Sequence, residues 1–170
     1  MRKGRPAGHE MLYKQTVFFS SVSVPAALFL AACLIVGVSD GDTVTARCGK
    51  PQDYQQVKVR LGGIDAPEKR QPFGQRSKQS LSDLCYLQQA RLTPKSIDRY
   101  GRTVGDVNCR DQDAARHQVR AGMAWVFDSY ARGYEGLYVL QDQARARKAG
   151  LWADRQPMAP WEWRKAERGH

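Results

Sequence analysis

Acidic and basic side chains cluster in three short stretches of the 170-residue sequence. The stretches are Asp40-Gly41-Asp42-Thr43, residues 60–68 (RLGGIDAPE) and residues 98–102 (DRYGR). Carboxylate oxygens are the ligands that hard divalent cations prefer, and guanidinium groups bind phosphate through paired hydrogen bonds. Taken singly, each stretch more often marks an ordinary polar turn or loop. A hydrolytic site in this chain would combine these carboxylates and arginines.

Histidine chemistry is disfavoured by the spacing of the histidines. His9, His117 and His170 lie far apart in the chain, and none has the spacing of a metal-ligand pair. The cysteines match no zinc pattern either. A hydrolytic site in this chain therefore depends on its carboxylates and arginines.

The alternation of residues around the first two stretches indicates where their charges lie. Asp42 opens a strand and shares a face with Val44, so its carboxylate should lie at the rim of an apolar barrel face, where a cation would offset its burial. The alternative is a turn acid that bonds its own backbone. Arg60 lies on the face opposite its apolar neighbours and should leave the core, while Asp65 and Glu68 flank a proline-stiffened turn.

Period-two alternation and helical periodicity predict the elements that position these residues. Strands are predicted near residues 34–38, 43–46, 57–61, 90–95 and 103–109. Helices are predicted near residues 77–84, 114–121 and 137–149. The count and order predict an α+β fold, a five-stranded barrel of the oligonucleotide-binding (OB) type with about three packed helices. Residues 34–154 would form this domain, and residues 155–170 an irregular C-terminal tail laid on it.

The amino terminus has the pattern of an export signal. Residues 1–15 are basic, and residues 16–39 carry no charge. Residues 1–33 are therefore predicted to be a cleaved signal peptide, or an uncleaved membrane anchor because the run is long enough to span a bilayer. The LAAC sequence that ends at Cys33 also resembles a bacterial lipobox, so lipid attachment at Cys33 is a third possibility. The protein is predicted to be secreted, periplasmic or membrane-attached.

The cysteines and the net charge carry further expectations. An oxidising compartment permits a disulfide among Cys33, Cys48, Cys85 and Cys109, although the pairing cannot be read from the spacing. If Cys33 is removed or lipidated, one pair and one free thiol are expected. The formal charge of +10 favours polyanionic partners such as nucleic acid.

In this order and at these separations, the three stretches resemble the motifs of the staphylococcal nuclease (thermonuclease) family: D-G-D-T, R-x-x-x-x-D-x-P-E and Y-G-R. The resemblance runs over about residues 34–154. It includes residues 120–124, like the family's R-x-G-x-A, and Gly150-Leu151-Trp152. It implies a calcium-dependent nuclease that cleaves the P–O5′ bond of DNA and RNA with little sequence preference. A monomer is expected.

The resemblance also implies a role for each matching residue. Calcium would be held by Asp42, Asp65 and the backbone carbonyl of Ala66. Glu68 would act as, or orient, the general base for the attacking water. The scissile phosphate would be gripped by Arg60 and Arg102. Substrate contacts are expected from Arg99, Tyr100 and Tyr130.

Departures from the family pattern keep other interpretations open. The segment 69–72 is shorter than in the type member, and one of that protein's two nucleotide-packing tyrosines falls on Asp128 here. Trp125 and Phe127 lie close by and could stack bases, or they could be core aromatics. A non-catalytic nucleic-acid-binding OB module is the main alternative, and a surface lipoprotein with an adhesive or structural role is the third.

Overall fold

The strands of the barrel form from the segments in which apolar and polar residues alternate. The computed structural model describes residues 33–169. In chain order the strands are β1 Cys33–Asp40, β2 Thr43–Lys50, β3 Asp53–Leu61, β4 Ile64–Asp65, β5 Gln89–Ile97, β6 Thr103–Cys109, β7 Gln112–Asp113 and β8 Trp125–Val126. The five long strands match the five predicted ones, and their inward residues, such as Ile35, Val44 and Val59, are almost completely buried.

The five long strands close into a barrel. They pair antiparallel in the order β3-β2-β1-β5-β6, and β3 then pairs with β6 in parallel, with Val59 opposite Thr103 and Leu61 opposite Gly105. The short strands β4 and β8 form a separate ladder in which Asp65 lies opposite Trp125. The predicted α+β fold with a five-stranded OB-type barrel is confirmed.

Four α-helices pack around the barrel: α1 Gly74–Cys85, α2 Ala114–Arg120, α3 Gly136–Ala146 and α4 Pro160–Arg168. The first three correspond to the predicted helices, although α3 ends earlier than expected and a 3₁₀ helix, Gly150–Ala153, follows it. Leu81 in α1, Val119 in α2 and Leu140 in α3 are buried. These apolar faces extend the barrel core.

The prediction of an irregular tail is wrong, because the tail contains α4. Pro160 occupies the first helical turn, where its missing N–H costs nothing. The side chain of Glu162 accepts a hydrogen bond from the backbone N–H of Ala159 at 3.3 Å, which caps the helix start. These start signals are present in the sequence, and they outweigh the irregular character that the prolines suggest.

With Cys33 retained, residues 33–169 contain two disulfides and no free cysteine, so the count of one pair and one free thiol, expected if Cys33 is removed or lipidated, does not apply to this structure. Cys33 is bonded to Cys48, and Cys85 is bonded to Cys109. The first bond joins the neighbouring strands β1 and β2, and the second joins the end of α1 to the end of β6. Cys33 is the first residue of β1 and is fully buried. Its sulfur cannot carry this disulfide and a thioether-linked lipid in the same molecule.

The predicted signal or anchor covers residues 1–33, of which residues 1–32 lie outside the described residues and Cys33 belongs to β1. Within residues 33–169, no helix is long and apolar enough to cross a membrane. β1 begins one residue before the predicted domain start at Leu34.

Candidate active site

One end of the barrel brings the three charged stretches together. Thr43 at the start of β2 lies opposite Arg60 near the end of β3, and Arg60 lies opposite Val104 near the start of β6. The turn before β2, the segment after β3 and the loop before β6 therefore meet at one rim. A pocket of about 370 Å³ opens there. All nine residues predicted for the site line it: Asp42, Arg60, Asp65, Ala66, Glu68, Arg99, Tyr100, Arg102 and Tyr130.

The carboxylate of Asp42 is fixed by three groups. Its Oδ2 accepts the backbone N–H of Ala66 at 2.9 Å and lies 3.6 Å from Nη2 of Arg60. Its Oδ1 accepts the hydroxyl of Thr43 at 2.8 Å. Asp42 is only 6% exposed, so this rim carboxylate is nearly buried as its strand position predicts. The bond to Ala66 joins the first charged stretch directly to the second.

The turn that carries Asp42 is anchored from the helical side. Nε2 of Gln118 donates to the carbonyl of Gly41 at 2.7 Å and to the carbonyl of Ser77 at 2.9 Å. A Cβ at Gly41 would lie 1.7 Å from Oγ of Ser77, so only glycine allows α1 to approach this closely. The buried amide of Gln118 therefore holds the turn against α1 and α2.

Arg60 folds back over the turn that follows β3. Its Nη1 donates to the carbonyl of Ile64 at 2.8 Å, and its Nη2 donates to Oδ1 of Asp65 at 3.1 Å. The side chain is only 13% exposed. The guanidinium leaves the barrel core, as the alternation predicts, and lies between Asp42 and Asp65.

A residue from the C-terminal helix completes this group. Arg164 in α4 donates from Nη2 to Oδ2 of Asp65 at 2.6 Å and from Nη1 to Oε1 of Glu68 at 2.7 Å. A longer bond of 3.3 Å links Nη1 to Oδ1 of Asp65. Both oxygens of Asp65 are therefore bonded by arginines. We call Asp42, Arg60, Asp65, Glu68 and Arg164 the acidic floor.

The second arginine site is a loop closed by its own residues. Asp98 accepts the backbone N–H of Tyr100 at 2.9 Å and that of Arg102 at 3.0 Å through Oδ1, and the Nε–H of Arg102 at 2.7 Å through Oδ2. Within residues 33–169, the two terminal nitrogens of Arg102 donate no hydrogen bond to another residue. We call residues 98–102 the arginine loop. It presents the outer edge of Arg102 to the pocket.

Aromatic side chains line the same pocket. Tyr100 is 68% exposed and lies under the guanidinium groups of Arg99 and Arg102, at 4.8 and 5.5 Å from the ring centre. Tyr130 is 56% exposed, and its ring contacts Phe127 with 5.2 Å between centroids. Exposed aromatic rings beside guanidinium groups are suited to stack on nucleobases.

The electrostatics differ across the pocket. Burial and the negative charge of Asp42 raise the pKa of Asp40 to about 6. Burial also raises the pKa of Asp65, against the hydrogen bond from Arg164. Burial acts to raise the pKa of Asp98 too, but the hydrogen bonds from Arg102 outweigh it and the pKa falls below its usual value. The carboxylate of Asp40 is therefore disfavoured by burial and by its neighbour Asp42, whereas that of Asp98 is stabilised by hydrogen bonds within the arginine loop.

The donor chemistry of the pocket fits a hard cation. Burial is the larger cause of the raised pKa of Asp40, and the negative charge of Asp42 adds to it; a bound cation would relieve that repulsion. Oxygen atoms from carboxylates and backbone carbonyls are the ligands that calcium takes. Among residues 33–169, no group of three or more His, Cys, Asp or Glu side chains is arranged as a metal cage. In this structure the carboxylate of Asp65 bonds to the guanidinium groups of Arg60 and Arg164.

Sequence reasoning missed three contributors to the pocket. Asp40 and Asp98 belong to the charged stretches but were assigned no role, although an Asx turn that closes on an arginine is a readable signal for Asp98. Arg164 was placed in the tail with no function. Its helix could have been found from Pro160 and Glu162, but no local signal shows that it reaches Asp65, 99 positions earlier.

Comparisons with known proteins agree with this geometry. A family model described as "Staphylococcal nuclease homologue" matches residues 58–154. An uncharacterized endonuclease of Haemophilus influenzae is 43% identical over 137 residues, 80% of this chain and 74% of the relative. A micrococcal nuclease of Shigella flexneri is 37% identical over 158 residues, 86% of this chain and 87% of the relative. A staphylococcal-like nuclease of Arabidopsis thaliana is 35% identical over 115 residues, 68% of this chain and 35% of the relative.

Proposed function

The chain belongs to the staphylococcal nuclease family, and from that premise we propose that it is a calcium-dependent nuclease that hydrolyses phosphodiester bonds of DNA and RNA with little sequence preference. The observation that carries the proposal is the convergence of the acidic floor and the arginine loop on one open pocket. Two relatives are named as an endonuclease and a micrococcal nuclease.

The residues that would hold calcium are Asp42, Asp65 and the carbonyl of Ala66. When bound, calcium supplies positive charge that stabilises the negative charge developing on the phosphate oxygens. The hydrogen bond from the Ala66 N–H to Asp42 already draws these three residues together. Arg60 lies between the two carboxylates and limits their mutual repulsion.

Glu68 would act as, or orient, the general base for the attacking water. Its side chain is 41% exposed and lines the pocket, so water reaches the carboxylate. Proton transfer to Glu68 accompanies formation of the new bond between the water oxygen and phosphorus, while the P–O5′ bond breaks. A positioned general base typically contributes about 10²–10⁴-fold.

The two family arginines grip the phosphate. Arg60 reaches the pocket from the end of β3, and Arg102 reaches it from the arginine loop. A carboxylate orients each guanidinium, that of Asp65 for Arg60 and that of Asp98 for Arg102. Their guanidinium groups bind the non-bridging oxygens and the leaving O5′ as charge accumulates there. Tyr100 and Tyr130 offer exposed rings to the flanking bases, which selects for single-stranded or locally opened nucleic acid rather than for a sequence.

A non-catalytic nucleic-acid-binding module is the alternative. Such a module would need the basic surface and the aromatic rings but no carboxylates in the pocket. Here Asp42, Asp65 and Glu68 are all kept, at the cost of burying two of them. That arrangement favours catalysis.

The deciding experiment follows cleavage of single-stranded DNA, duplex DNA and RNA by the purified protein, with calcium and with a chelator. We expect calcium-dependent cleavage of all three. Glu68→Gln should reduce the rate by about 10²-fold or more. Arg168→Gln, at an exposed position on α4, is the matched control and should cleave normally. Binding without cleavage would instead establish the non-catalytic module.

We further propose that the enzyme acts outside the cytoplasm. The two disulfides support this location, since such bonds persist in oxidising compartments. Because Cys33 belongs to β1, a cleavage site or anchor would lie upstream of it. Mass measurement of the mature protein tests the position of that boundary: a product that begins after Cys33, or a lipid on Cys33, would contradict it. Recovery of the protein only from the cytoplasmic fraction would contradict the proposed location.

A further inference from the structure

Arg164 reaches the acidic floor from a part of the chain that lies beyond the family match. The matched residues end at 154, and α4 begins at Pro160. The guanidinium bridges two carboxylates, with its shortest bonds 2.6 Å to Asp65 and 2.7 Å to Glu68. This contact therefore belongs to a C-terminal helix that packs beside the pocket from outside the matched segment.

The helix is held against the site by contacts other than the ion pairs. Trp161 stacks on Phe127, with 5.1 Å between ring centroids and an interplanar angle of 25°, and it also meets Trp125 edge-on. Gln71, three residues after Glu68, donates from Nε2 to the carbonyl of Met158 at 2.7 Å. These contacts fix the backbone of α4 beside the pocket. The side chain of Arg164 remains 37% exposed, so its tip has room to move without undocking the helix.

The carboxylate of Asp65 cannot keep its present hydrogen bonds to Arg164 and also bind a cation. Its Oδ2 accepts the short bond from Arg164, and its Oδ1 accepts Arg60 and the longer bond from Arg164. Its side chain is only 3% exposed, so water cannot take over either partner. A cation and a guanidinium at one buried carboxylate repel each other strongly because screening is weak there. Binding of one must therefore weaken binding of the other.

We propose that Arg164 is a positioning residue that competes with the divalent cation for Asp65 and so sets the calcium concentration at which the enzyme becomes active. This inference rests on the proposed calcium dependence. In the metal-free protein Arg164 neutralises Asp65 and orients Glu68. When calcium binds, Arg164 releases Asp65 while α4 stays docked. The protein is thereby stable without the metal and is switched on only above a threshold.

The test measures calcium affinity by isothermal titration calorimetry, which does not depend on activity. Arg164→Gln should bind calcium more tightly than wild type, by about 5-fold to 150-fold, the usual range for coupling between two ligands. Arg164→Lys keeps the charge without the bidentate geometry and should fall between the two. Arg168→Gln keeps wild-type affinity because its side chain lies on an exposed position of the same helix.

Thermal unfolding provides a second readout. Arg164→Gln should lower Tm in chelator, where the guanidinium is the partner of Asp65, and the difference from wild type should shrink in saturating calcium. Circular dichroism confirms that each variant is folded. A merely structural contact would lower Tm equally under both conditions.

Three results overturn the inference, and they are distinguishable from failure of the proposed function. Equal or weaker calcium binding by Arg164→Gln, with calcium-dependent cleavage intact, rejects the competition alone. An equal loss of Tm with and without calcium also rejects it. No calcium binding by wild type or Arg164→Gln, with cleavage that persists in chelator, rejects the calcium dependence and the competition together.

Discussion

The acidic floor and the arginine loop supply charge to the same pocket but are built in opposite ways. The floor assembles residues from three separated parts of the chain, and the pair between Asp65 and Arg164 spans 99 positions. The loop is closed within five residues. The side chain of Asp98 accepts hydrogen bonds from Tyr100 and Arg102, its backbone N–H donates to the carbonyl of Arg102, and its carbonyl accepts the N–H of Gly101. The side chains of Asp42, Arg60 and Asp65 at the centre of the floor are 3–13% exposed, whereas Arg102 keeps 25% of its side chain exposed; Glu68 and Arg164 form the more exposed edge of the floor.

Because of this difference, the buried floor should contribute to both stability and catalysis, and the arginine loop to catalysis. A buried charge network must be complete, since removal of one partner leaves another charge without compensation in a poorly solvated place. A local surface loop can lose a side chain without consequences for the barrel. Substitutions of the buried floor residues Asp42, Arg60 and Asp65 should therefore damage folding and activity together, and substitutions in the loop should damage activity alone.

The largest effect is expected for Asp65→Ala. Two guanidinium groups lose their shared buried partner, so the free energy of unfolding should fall by about 3–5 kcal/mol and cleavage should be abolished. Urea unfolding in the presence of chelator measures the first effect. Asp53→Ala, at an exposed strand position, is the control and should be near wild type. A loss of activity without a loss of stability would contradict the expectation that the floor, unlike the loop, stabilises the fold.

Arg102→Ala tests whether a substitution in the arginine loop lowers activity without lowering stability. We expect the cleavage rate to fall by about 10²–10³-fold, as is typical when one donor to a developing charge is removed. The free energy of unfolding should change by less than about 1 kcal/mol, because the pair with Asp98 is near the surface. Parallel cleavage and urea-unfolding assays decide, and a stability loss as large as that of Asp65→Ala would show that the loop is not independent.

Asp98→Asn tests whether the loop only presents Arg102. The amide cannot accept the Nε–H of Arg102 as the carboxylate does, so the arginine should be aimed less well and the rate should fall by about tenfold, less than for Arg102→Ala. Because the folded pKa of Asp98 is lowered, its stabilising effect is present above the unfolded pKa near 3.9 and is lost as pH falls through the lower folded value. The stability difference between wild type and Asp98→Asn should therefore disappear in strong acid.

The smallest effect is expected at His117, which lies outside both regions. Burial, with help from the charge of Arg120, lowers the pKa of His117 despite the opposing charge of Asp83. Its folded state therefore favours the neutral ring, and stability is lost as pH falls below the unfolded value near 6.5. His117→Gln should flatten the pH dependence of Tm between neutral pH and about pH 5 and leave cleavage at pH 8 unchanged. A change in cleavage would link the helical layer to the site.

Much of the fold could be predicted because its signals are local. The strand that contains Val57, Val59 and Arg60 alternates strictly, and the observed burial follows that alternation. Helix α1 follows from the spacing of Ser77, Leu81 and Leu84, all of which are buried. The nine predicted site residues reach one pocket because the closed barrel leaves the ends of β1, β3 and β5 at the same rim.

The contacts that could not be predicted from the sequence join residues that are distant in the chain and that the closed barrel brings together. Local alternation indicated the strands and the first three helices, and motif spacing singled out Asp42, Arg60, Asp65, Glu68 and Arg102. Only the tertiary structure decided that Cys33 pairs with Cys48, that Gln118 holds the turn before Asp42, and that Arg164 bonds Asp65. Each of these contacts joins segments whose separation in sequence carries no periodic signal, so its geometry exists only after the barrel closes and the helices pack.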